Sequence, residues 1–95
     1  MPYVMIRHEV ASYAKWKRAV HDFKKIRQAS GEKCFYACRG SKNPNDVLVW
    51  CEWDTTPRMK KFVKSLELRK AMKAAGVISK PEISFWSGMD DLSVG

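Results

Sequence analysis

Residues 3–10 read YVMIRHEV, an apolar run of Tyr3, Val4, Met5, Ile6 and Val10 interrupted by Arg7, His8 and Glu9. Side chains along a strand point alternately to opposite faces, so the stretch separates into two sets. Tyr3, Met5, Arg7 and Glu9 share one face, which mixes large apolar groups with charges. Val4, Ile6, His8 and Val10 share the other, which is apolar except for one imidazole. A strand is expected here, with His8 turned towards the interior.

Downstream, Ser12 is placed to cap a helix over YAKWKRAVHDFKKIRQAS. Tyr13, Trp16, Val20, Phe23 and Ile26 form its apolar stripe, and Lys15, Lys17, Lys24 and Lys25 take the other side. Gly31 supplies a terminus able to adopt positive φ. Next, KCFYACRG and VLVWCEWD flank the polar turn SKNPND, which reads as a β-hairpin. A Thr cap followed by Pro57 starts a second helical region with Met59, Phe62, Val63 and Leu66 inward. A break is expected near Ser65 or Leu66, after which Leu68, Met72 and Ala75 continue the stripe to Gly76. Beyond Pro81, EISFWSG reads as the last strand.

The order β-α-β-β-α-β is the α+β ferredoxin-like pattern, with both helical regions on one face of an antiparallel sheet. One domain over residues 1–88 and a short, loose, acidic tail over 89–95 are expected. The opposite sheet face would then lie open, carrying Tyr3, Met5, Leu48 and Trp50 beside charges. Such a face calls for a partner, most simply a second copy of the chain. Tyr3, Met5, Arg7, Trp50 and Glu52 are assigned to this dimer face, with an Arg7–Glu52 ion pair across neighbouring strands.

The bulk composition narrows the function classes. With 95 residues, 45% of them hydrophobic, the chain fits one folded domain. It has no long apolar stretch and MPYVMIRHEV does not resemble a signal peptide, so the cytoplasm is the expected compartment and no membrane partner is expected. Cys34, Cys38 and Cys51 lack metal-site spacing. On one strand Cys34 and Cys38 stand roughly 13 Å apart, too far for a disulfide, so reduced, buried thiols are expected and no metal. The net charge of +8 raises the question of nucleic acid. Yet Lys60, Lys61, Lys64, Arg69, Lys70 and Lys73 fall where the apolar stripe leaves helix surface free, and no RNA- or DNA-binding motif accompanies them. That argues against nucleic-acid binding.

The stretches IRHEV-x-SYAKWKRA, SKNPNDV, VLVWCEWD and SLELRKAMKAAGVISKPEISF together resemble small proteins of the antibiotic biosynthesis monooxygenase-like superfamily, from about residue 3 to residue 88. The resemblance implies a dimeric α+β barrel. Its members include cofactor-independent monooxygenases of aromatic polyketides, quinone monooxygenases, haem-degrading enzymes and proteins of no assigned activity, so it specifies fold more than reaction. In the haem-degrading branch a polar residue, asparagine, sits on the first strand where His8 stands here. The axial histidine of that branch falls nineteen residues after a tryptophan, which from Trp53 arrives at Met72. Haem is therefore not expected, and neither is any other cofactor.

On the helix-facing side, Val47, Val49, Cys51 and Trp53 should join His8, and an odd-sum hairpin register would add Cys34, Tyr36 and Cys38. With Phe62 and Met72 above, this is an aromatic, sulfur-rich wall suited to a small aromatic or apolar ligand. The ligand set is Tyr36, Cys51, Trp53, Phe62 and Met72, with His8 as the candidate catalytic base. The competing reading of His8 is a structural histidine satisfied by a backbone carbonyl or a neighbour. His21 lies off the stripe and should face solvent. No nucleotide-binding glycine loop or Ser-His-Asp set is present. A monooxygenase-like protein is the leading expectation. The alternatives are a non-catalytic or stress-related ligand-binding barrel and, more distantly, a basic dimer binding nucleic acid.

Overall fold

The computed structural model describes residues 1–94. In chain order the elements are β1 (Tyr3–Glu9), α1 (Tyr13–Asp22), α2 (Lys24–Ser30), β2 (Glu32–Arg39), β3 (Asp46–Trp53), α3 (Thr56–Val63), α4 (Leu66–Ala74) and β4 (Glu82–Trp86). The strands form one antiparallel sheet in the order β2-β3-β1-β4. This is the expected ferredoxin-like α+β arrangement, with the two hydrophobic strands β1 and β3 at its centre.

The alternation in YVMIRHEV holds. Val4, Ile6, His8 and Val10 are buried beneath the helices with Val47, Val49, Cys51 and Trp53. Trp16 of α1, Met59 of α3 and Ala75 after α4 close the same core. Ser12 caps α1 by accepting from the Lys15 N–H, Thr55 caps α3, and Ser65 caps α4 through the Leu68 N–H. The break at Ser65 is therefore a second N-cap within one apolar stripe. Among the described residues, no helix is long and apolar enough to cross a membrane.

Two departures from the sequence expectations shape the site. The first helical region is interrupted at Phe23, and past it Arg27 is buried while Ile26 is 42% exposed. Tyr13, Trp16, Val20, Phe23 and position 27 follow a strict alternation of three and four residues, so the inward position belongs to Arg27 and not to its apolar neighbour. The second departure is in the hairpin. Glu32 lies opposite Trp53 as the expected register requires, but a bulge between Glu32 and Cys34 inserts one extra residue. From there Cys34, Tyr36 and Cys38 face Glu52, Trp50 and Leu48, and all three turn to the open side of the sheet. Phe35 takes the inward place instead. Gly31, at φ 114°, makes the tight turn into this bulge, and a side chain there would strike Asp54.

Candidate functional site

Between the helix-facing side of the sheet and the two helical regions lies a cavity of about 80 Å³ with almost wholly apolar walls. His8, Cys51, Trp53, Phe62 and Met72 all line it, as expected from the sequence. Tyr36 does not. The bulge places Tyr36 on the open face, 52% exposed, with its ring stacked on Trp50 at 4.4 Å. The expected aromatic wall is made by Phe35 and Trp16, whose rings lie 6.3 Å apart.

β1 holds His8 opposite Val47, only 5% exposed, with its ring edge-on to Trp16 at 5.8 Å and 73°. Neither imidazole nitrogen has a hydrogen-bond partner among the described residues. The satisfied structural histidine is thus not what the geometry holds. Burial moves the His8 pKa below its usual value, so the ring is neutral at neutral pH and can accept or donate one proton. Trp53, 1% exposed and 5.0 Å from the Phe62 ring, likewise has an indole N–H without a partner.

Sequence reasoning missed the third polar element of the cavity. Arg27 of α2 and Glu32 of β2 form a buried ion pair in its wall. The Arg27 guanidinium also donates to the Val20 carbonyl at 2.9 Å and lies over the Phe35 ring at 4.4 Å, while its Nε has no partner among the described residues. Burial pushes the Glu32 carboxyl up to about 7, outweighing the pull of Arg27. Every buried side-chain nitrogen or oxygen left without a partner among the described residues belongs to His8, Arg27 or Trp53, and all three line the one cavity. The strict repeat through Trp16 and Phe23 was the signal for Arg27. Glu32 had a signal too, since the expected hairpin register sets it opposite the inward Trp53.

The residues assigned to the dimer face do share the open side of the sheet. Tyr3 lies opposite Glu52 and Met5 opposite Trp50. The expected Arg7–Glu52 pair is absent among the described residues, because the register sets Arg7 opposite Leu48. Arg7 instead grips Asp46 with two bonds of 3.1 and 2.8 Å, and Glu52 accepts from the Tyr3 hydroxyl at 2.5 Å. Of the three free thiols only Cys51 is buried, which raises its pKa; Cys34 is half-buried and Cys38 exposed, against the expectation that all were covered. His21 is exposed as expected. No group of three or more His, Cys, Asp or Glu side chains suited to a metal occurs among the described residues.

No family model matches the sequence, and no curated protein does. Solved structures do match. An antibiotic biosynthesis monooxygenase, so named provisionally, from Deinococcus radiodurans is 16% identical with a TM-score of 0.69, covering 100% of this chain and 99% of that one. A provisionally named counterpart from Bordetella bronchiseptica is 14% identical at a TM-score of 0.75, over 93% and 96% of the two chains. SnoaB, a cofactor-independent oxygenase from Streptomyces nogalater, is 12% identical at a TM-score of 0.75, over 96% and 95%. The chain has the antibiotic biosynthesis monooxygenase fold. At such identities the likeness fixes the architecture and leaves the reaction to be argued from the site.

Proposed function

We propose that the protein binds a small aromatic or apolar molecule in the cavity between sheet and helices and oxidises it without a cofactor, with His8 as the base. The observation that carries this reading is that the three residues with partnerless buried polar atoms among the described residues, His8, Trp53 and Arg27, all line one apolar cavity. An unpaired buried polar group costs about 1–3 kcal/mol, and a ligand hydroxyl or carbonyl would supply the missing partner. The likeness to SnoaB, a cofactor-independent oxygenase, favours the same chemistry.

In that reaction a phenol with a free para carbon gives up its hydroxyl proton to His8 and passes an electron to O₂ from the electron-rich ring. The resulting radicals join at the para carbon as a peroxide. Loss of water, its hydrogens coming from the hydroxyl and the para carbon, leaves one oxygen atom as the second carbonyl of a quinone. The imidazolium returns its proton to the departing oxygen, and Trp53 N–H can donate to a developing oxyanion. At about 80 Å³ the cavity is smaller than the roughly 150 Å³ that holds benzene, so a ring fits only once side chains such as half-buried Met72 and Phe62 make room for it.

The test is oxygen uptake with a panel of naphthols, naphthoquinols and anthrones. A substrate found with the wild type should lose about 10²- to 10⁴-fold in kcat in His8→Ala, with KM changed far less. If the wild type binds members of the panel but consumes no O₂, the protein is a binding module of this fold. If nothing binds, the cavity reading fails.

The open face, with Tyr36 52%, Trp86 53% and Leu48 38% exposed, favours pairing of two copies sheet to sheet. Light scattering at micromolar concentration should return twice the chain mass, and a monomeric mass would contradict it.

A further inference from the structure

A second concavity, of about 450 Å³, lies between α1–α2 and the edge strand β2. Trp16, Val20, Arg27, Glu32 and Phe35 line both this cleft and the inner cavity, so the Arg27–Glu32 pair stands in the wall between them. The two spaces differ in chemistry. The inner one is almost wholly apolar, while the cleft is about half polar and carries Lys17, Lys24, Lys33 and Arg27 against the single carboxylate of Glu32. The three lysines are exposed and free to reorient. Arg27 is not: its side chain is 9% exposed, clamped over Phe35, and its Nε lacks a partner among the described residues. The cleft volume falls in the range of small-molecule sites, about 300–1,000 Å³.

We infer that the cleft is the entrance and head-group site for an anionic aromatic ligand, a small aryl carboxylate or enolate. Its charge is held by Lys17, Lys24, Lys33 and Arg27, and its ring points past the Arg27–Glu32 pair towards His8. A planar carboxylate matches the guanidinium fork, so an incoming ligand competes with Glu32 for Arg27. Trp16 and Phe35 line both spaces and make the path between them aromatic. This inference deepens the reading of the inner cavity and rests on it for the ring, but the charge selection is a separate property of the cleft.

The experiment is tryptophan-fluorescence titration with α-naphthoate and α-naphthol, which share the ring system and differ in charge at neutral pH. Wild type should bind the naphthoate about tenfold or more tighter than the naphthol at low salt, as hydrogen bonds to a charged group predict. The exposed triple variant Lys17→Ala/Lys24→Ala/Lys33→Ala, which leaves the core untouched, should lose most of that preference while keeping its affinity for the naphthol. High salt should narrow the preference in the wild type. Equal affinity for the two compounds in the wild type, or a preference unchanged in the triple variant, would overturn the cleft assignment. Failure of the inner-cavity reading looks different: Met72→Trp, which fills that cavity, would then leave naphthol binding unchanged.

Discussion

The two faces of the sheet treat their polar groups in opposite ways. On the open face, where water is at hand, Arg7 is bonded twice to Asp46 and Tyr3 to Glu52. On the helix-facing side, where an unpaired group is costly, His8, Trp53 and Arg27 each keep a nitrogen without a partner among the described residues. Packing alone would produce the reverse distribution. The three residues line one cavity, Arg27 also lines the cationic cleft, and aromatic groups of the other face, Tyr36 and Trp86, stand exposed. The contrast supports the proposal of a small ligand for one face and a second subunit for the other.

The contrast breaks most visibly through stability. Trp53→Ala removes a side chain that is 1% exposed and should cost about 3–5 kcal/mol in denaturant unfolding. Next comes Arg27→Met, which strands Glu32 and should cost about 3 kcal/mol or more, whereas Arg27→Met/Glu32→Leu should recover most of the loss. Equal losses in the single and double variants would show that the pair contributes through packing alone.

A pH series sharpens the comparison within the cavity. Glu32 has a folded pKa raised to about 7, so its contribution to stability is fully present below its unfolded value near 4.5 and is lost as pH rises through 7. His8 is lowered, so its contribution is present above 6.5 and is lost as pH falls through its folded value. The two slopes oppose each other below neutrality. In Glu32→Gln stability should therefore rise with pH as His8 is left alone, and in His8→Ala it should fall between about pH 4.5 and 7. A flat profile in both variants would remove these groups from the account.

The smallest effect belongs to the open face. Trp86→Ala, 53% exposed, should change unfolding stability by no more than about 0.5 kcal/mol if measured on the monomer, while weakening self-association.

Alternation in two central strands and periodicity in the helices made the fold legible, and the same alternation put His8, Cys51 and Trp53 on the correct face. Three placements went astray for identifiable reasons. Ile26 drew the helix stripe to itself because it is apolar, although the repeat pointed to Arg27. Tyr36, with Cys34 and Cys38 beside it, was assigned inward because the bulge after Glu32 leaves no local mark in the sequence. The Arg7–Glu52 pair needed a strand register that sequence does not specify. That His8 lacks a partner is a property of the assembled core and has no counterpart in the chain.

The central claim is that His8, and not merely the space near it, meets the ligand. Side-chain nitrogen NMR on imidazole-labelled protein reads this directly, since the chain holds only His8 and the exposed His21. The expected result is that His8 titrates below its usual value and that α-naphthol shifts its ring nitrogens more than those of His21, which lines the outer cleft. A His8 signal that is indifferent to bound naphthol, or that moves no more than His21, would contradict it.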